Sequence, residues 1–164
     1  AGEAVPAGLR PMPRTTPEQV AEHQVVDATG LESISIRTPD FEWSAETALS
    51  RFDGVEEAAL LGPSNDAEMM LPGVLSWEHG FVLRALRFAP GASIPAHRRA
   101  EEEVLFVQQG RLEVCVDEET VELGQGDTFT TPIGSARRFR NPGDKDCIVY
   151  VTRRHDQPQA PEFS

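Results

Sequence analysis

The sequence predicts an all-β protein folded as a small antiparallel barrel or double sheet. Three observations carry this. Short β-rich runs (Glu103–Val107, Arg111–Val116, Asp127–Thr130) crowd the stretch between Gly91 and Asn141. Gly and Pro signals separate them at close, even spacing, as tight antiparallel connections require. The whole chain has 164 residues, enough for one barrel core plus an ordered arm.

Taken in order, Ala1–Thr15 contains Pro6, Pro11 and Pro13, which exclude helix, so an extended arm is expected, mobile or laid along another surface. Thr16-Pro17-Glu18-Gln19 then supplies an N-cap, a proline at the first helical position and a Gln three residues after the cap. A short helix to about Gln24 follows, with His23 as a solvated side chain on it. Residues 1–24 are therefore arm and helix, 25–155 the barrel with its motif region at 91–141, and 156–164 a polar tail with two prolines. That tail is expected to be a flexible end or a strap held by a partner.

Within the barrel, Leu31–Trp43 alternates loosely and is broken by Pro39-Asp40, which predicts two short strands joined by a turn. Ser44–Leu49 suits one helical turn capped by Ser44. Ala58–Leu61 and Glu68–Leu71 flank Gly62-Pro63-Ser64-Asn65-Asp66 and read as a hairpin. Phe81–Phe88 carries apolar side chains on both faces, so a strand covered on both sides is expected. Pro90-Gly91 turns the chain, Asn141–Asp146 is a strong turn, and Cys147–Thr152 makes the closing strand, with Arg153, Arg154 and His155 beyond it.

A formal net charge of −12 argues against nucleic acid and anionic membrane surfaces, which need a basic footprint. No apolar run approaches the roughly 20 residues of a spanning helix, and the first residues lack the apolar core of a secretion signal. Cys115 and Cys147 fall on different expected strands and read as reduced core thiols. The simplest address is the cytoplasm.

Two patterns overlie the strands. One is Gly91, five residues, His97-x-Arg99, three residues, Glu103, six residues, Gly110. The other is Gly126, five residues, Pro132-x-Gly134, two residues, Arg137, three residues, Asn141. Together they resemble the paired motifs of the cupin superfamily in every spacing, which implies a double-stranded β-helix, a jelly-roll-like barrel. Two letters depart: Arg99 and Arg137 stand where a metal-binding cupin has His. Transferred by resemblance, the ligand positions are His97, Arg99, Glu103 and Arg137.

A guanidinium has only donors and stays protonated, so it cannot ligate a cation. No metal is expected in this chain, and Arg99 and Arg137 are expected to neutralise Glu103 through a forked, bidentate pair. The six-residue step to Gly110 favours Glu103 over Glu102 as the inward carboxylate, with the other acids of the run solvated. His97 is expected to be a hydrogen-bonded core histidine. No nucleophile–base pair is visible, so no catalytic residue is assigned.

The size, Pro-rich arm and strand-rich first half, followed by a cupin with replaced ligands, resemble the small, iron-free subunit of two-component hydroquinone dioxygenases. That resemblance implies a non-catalytic subunit of a hetero-oligomer. Fe(II) and ring cleavage of a 1,4-dihydroxybenzene would belong to a larger iron-binding cupin subunit, which this chain would stabilise. Trp77, in Ser76-Trp77-Glu78-His79-Gly80, is then expected to line that partner's substrate pocket or touch the partner, with His79 assisting by hydrogen bonding. Plugging the barrel end is the plainer role for Trp77. A second function compatible with the residues is a free-standing, metal-free cupin that binds or isomerises a small acidic molecule through Arg99 and Arg137. A third, a metalloenzyme using His97, Glu103 and His79 or His155, has few ligands in register.

Overall fold

A computed structural model of the chain describes residues 35–61, 81–154 and 160–164. Ile36–Ser164 is one compact unit, and residues 1–35 form another that lies almost entirely outside the described residues. Outside them too are the expected arm and helix, the strand expected at 68–71, Trp77, His79 and His155.

Two antiparallel sheets face each other. The first contains β1 (Trp43–Ser44), β2 (Val55–Leu61), β3 (Phe81–Phe88), β5 (Glu103–Gln109), β8 (Thr128–Thr131) and β10 (Cys147–Arg154), in the spatial order β1-β2-β3-β10-β5-β8. The second contains β4 (Ser93–Arg98), β6 (Arg111–Val116), β7 (Glu119–Gly124), β9 (Arg137–Arg140) and β11 (Glu162–Phe163), in the order β11-β4-β9-β6-β7. Strands distant in sequence are neighbours, as in a jelly roll.

The alternation of side chains across each strand builds the core. Leu86 and Phe88 of β3, Leu105 and Val107 of β5, and Val149 and Val151 of β10 face Ile94 of β4, Leu112 and Val114 of β6, and Phe139 of β9. Each such side chain contributes roughly 1.5–3 kcal/mol by leaving water. The outer face of the first sheet holds a second cluster, in which Ala58, Leu60 and Ala85 pack with Ile36, Phe41, Trp43 and Tyr150. This covers β3 on both sides, as its composition predicts. Arg87 lies over the Trp43 ring at 4.5 Å and pairs with Glu56 at 2.5 Å.

Several expectations shift. Of the two strands expected in 31–43, the second forms as β1 and the first falls largely outside the described residues; Thr38–Asp40 is a single 3-10 turn with Pro39 inside it. After β1, Ser44 Oγ accepts from Glu46 N–H at 3.1 Å, as its expected capping role requires, and Thr47 caps the turn that follows. Thr47 N–H donates to Ser50 Oγ and Ser50 N–H donates back to Thr47 Oγ1, the reciprocal arrangement of a capping box. Among the described residues, β2 pairs with β1 and β3; the hairpin partner expected at 68–71 lies outside them. The tail is not a free end: β11 pairs with β4, Phe163 opposite His97 and Glu162 opposite Arg98.

The motif's small residues do structural work. Asn141 donates to the carbonyls of Phe88 and Lys145 and accepts from Gly143 N–H, tying its own turn to the end of β3. Gly110 joins β5 to β6 at φ +80°, where a Cβ would lie 2.8 Å from Asp146 O and 3.0 Å from Cys147 Cα. Both atoms are backbone and cannot step aside. Gly110→Ala is therefore expected to lower stability by at least about 2 kcal/mol, from left-handed strain plus the contact. Denaturant titration against wild type checks this, and an unchanged midpoint would contradict it.

Candidate functional site

Toward one end of the barrel the inward pattern changes from apolar to charged. Cross-strand partners of an antiparallel pair point to the same face. In the second sheet His97 is opposite Arg137, and Arg137 is opposite Val116. In the first sheet Arg153 is opposite Glu103, and Glu103 is opposite Thr131. His97, Glu103, Thr131, Arg137 and Arg153 are all buried, as are Arg99 and Glu101.

His97 reaches this row through an irregularity. The β4–β9 register shifts between Ile94 and His97, with Pro95 in the shifted segment, so two residues three apart both point inward and are fully buried. His97 Nδ1 is 2.9 Å from Pro95 O. A carbonyl can only accept, so Nδ1 carries the proton and Nε2 is a bare acceptor. Phe139 and Phe163 pack on the ring at centroid distances of 5.5 and 5.6 Å. Burial is the main influence on the imidazole and lowers its pKa from 6.5 to about 4, so it is neutral at pH 7.

Glu103 stands between two guanidinium groups. Arg99 Nε lies 3.5 Å from one carboxylate oxygen, and Arg137 Nη2 lies 3.5 Å from the other. The two arginines flank Glu103 as expected, each of these contacts addressing one oxygen from its own side. Burial pushes the Glu103 carboxyl up, but Arg99, Arg153 and Arg137 together outweigh it and hold it below the ordinary carboxylate range. Burial likewise lowers Arg137, with Glu103 opposing. Arg137 Nη1 donates to Ser135 O at 3.3 Å.

Glu102 is exposed and Glu103 is 1% exposed, as the step to Gly110 implies. Glu101 is a correction: it was expected in solvent but is buried, 3.9 Å from Arg99. Arg84, Thr131 and Arg153 escaped notice, although counting by twos from Phe88, Phe129 and Cys147 leads to each. Cys115 and Cys147 are free thiols, and burial pushes Cys147 up to about 12.

The donor set does not fit a divalent cation. His97 Nε2 is one neutral ligand, Glu103 is engaged from both sides, and Arg99 and Arg137 bring positive charge to the remaining positions. Among the described residues no three His, Cys, Asp or Glu side chains are grouped to hold a metal ion.

The buried imidazole makes stability depend on pH. Its folded pKa lies below its unfolded value, so the unfolded chain binds the proton first as pH falls. The neutral ring's contribution is intact above pH 6.5 and is lost progressively toward pH 4, by roughly 3 kcal/mol in all. Glu103 contributes its loss only at lower pH, because its carboxyl is held down. His97→Leu is expected to flatten the melting temperature between pH 6.5 and 4.5. A slope as steep as wild type's would show that another group titrates there.

Residues 85–153 match the family model described as "Cupin domain". The polyketide synthase CurC of Streptomyces cyaneus is 34% identical over 97 residues, 58% of this chain; the match spans 60% of that relative's length. Among solved structures, the polyketide cyclase RemF from Streptomyces resistomycificus superposes with a TM-score of 0.62 at 17% identity, covering 79% of this chain and 83% of that one. A cupin-2 domain from Rhodospirillum rubrum gives 0.61 at 19% identity, covering 79% of each chain. Among the described residues no helix is long and apolar enough to cross a membrane. The motif spacings, the two facing sheets and these matches agree: residues 85–153 match a cupin domain, and the described barrel has the cupin fold.

Proposed function

We propose that this chain is a metal-independent cupin that holds the acid group of a small oxygenated molecule on Arg137, beside Thr131 and His97. One observation carries this. Arg137 Nε, Thr131 Oγ1 and His97 Nε2 are buried in one inward row and have no hydrogen-bond partner among the described residues, while Arg137 Nη2 reaches Glu103 at 3.5 Å. Buried polar atoms are almost always satisfied, and an orphaned set of donors beside an acceptor calls for a ligand that supplies the complement. A carboxylate or enolate oxygen would accept from Arg137 and Thr131. A neighbouring hydroxyl would donate to the bare Nε2 of His97, which its neutrality at pH 7 keeps available. The names of the polyketide synthase and cyclase relatives support a ligand rich in carbonyl and hydroxyl groups.

The second role is the iron-free subunit of a hydroquinone-cleaving dioxygenase, with Fe(II) in a larger cupin partner and Trp77 or His79 facing that partner's pocket. Its support is the same pair of guanidinium groups, which leave this barrel without a ligand set. The relatives named above are a synthase, a cyclase and a cupin domain, so no comparison adds to it. Co-purification from the native host separates the two: a second chain that restores ring cleavage only in its company establishes the subunit role.

For the acid site, acetate is expected to raise the melting temperature of the full chain and acetamide is not. At a hundred times its dissociation constant a ligand adds about 2.7 kcal/mol. Arg137→Gln is expected to abolish the effect, whereas Arg98→Gln, on the exposed face of β4, keeps it. The acetate–acetamide comparison needs no variant. Equal shifts from the two would overturn the proposal even if Arg137→Gln failed to fold.

A further inference from the structure

On one flank of the barrel the edge strands of the two sheets, β7 and β8, bound a groove of about 660 Å³. Val116, Val121, Phe129 and Pro132 line it, with Asp117 and Glu119 also on its wall. That volume is within the range of small-molecule sites. Val121, on the edge strand β7, is 41% exposed.

We infer that this groove takes the apolar body of a monocarboxylate whose acid end sits in the charged row, an inference that rests on the acid site proposed above. The placement follows from register. Val116 is directly opposite Arg137 across the β6–β9 pair and shares its face. Pro132 follows Thr131, which is directly opposite Glu103. By register, the groove's Val116 and Pro132 neighbour Arg137 and Thr131, whose Nε and Oγ1 have no hydrogen-bond partner among the described residues. Asp117 and Glu119 are exposed and would repel a second acid group. The ligand is thus amphipathic and singly charged, with an uncharged far end.

Calorimetric titration of the full chain with acetate, butyrate, hexanoate and octanoate tests this. Affinity is expected to rise about fourfold per methylene as the chain enters the groove. 1-Octanol and octanedioate are each expected to bind at least tenfold more weakly than octanoate. Val121→Trp, at an exposed edge position, fills the groove and is expected to remove the advantage of octanoate over acetate.

If acetate binds as tightly as octanoate, the groove is not the site although the acid site stands. If no acid binds and Arg137→Gln changes nothing, both fail. Octanol binding as well as octanoate, or a Val121→Trp protein that keeps the octanoate advantage, would overturn the inference. A photoreactive octanoate with its label at the chain end gives a readout on wild type alone. Labelling on β7 or β8 supports the groove, and labelling elsewhere overturns it.

Discussion

The carboxylate of Glu103, held inside the barrel between Arg99 and Arg137, is the constraint on which the rest of the site depends. Removing either kind of charge from water costs several kcal/mol per ion, and mutual attraction offsets this only when the partners stay together. The three groups come from three places in the chain: the end of β4, the start of β5 and the start of β9. Their coexistence fixes those strand ends against one another and leaves little freedom in how the barrel end closes. It also sets the chemistry. The anion that would anchor a metal is already balanced, and His97 is left neutral with one nitrogen turned to backbone and the other turned inward.

Much of this was legible from residue order, and the reasons are physical. Gly110 needs a positive φ and a close backbone approach, and Asn141 needs three backbone partners, so their spacing is set by geometry and can be read as a pattern. The inward direction of Glu103 followed from its step to Gly110. Other features left little trace. In β3, apolar residues on both faces hide the fact that Arg84 shares the inward parity of Leu86 and Phe88. The irregularity around Pro95 moves His97 relative to Ile94, and a strict count by twos does not anticipate it. β11 has two residues, too few for any period, and its place depends on an edge that exists only once β4 has paired with β9. Glu101 reads as one of two solvated acids because its neighbour Arg99 is buried by contacts distant in sequence.

The relatives illustrate how far a barrel of this kind constrains its use. At 17–19% identity a superposition speaks for the path of the backbone, while chemistry resides in the handful of side chains at the barrel end. In this chain those side chains favour recognition by charge and hydrogen bonding. Arg137 Nε is buried with no hydrogen-bond partner among the described residues, which is why an incoming anion is placed there.

The pairing of β11 with β4 has a consequence for association. A strand with an open flank offers a row of amide and carbonyl groups to any extended peptide, including the same segment of a neighbouring molecule. Glu162 and Phe163 occupy part of that flank, and Phe163 is anchored by Phe52, His97 and the Arg51 guanidinium. Those few residues cover part of the β4 edge that would otherwise be open to pairing by an extended peptide.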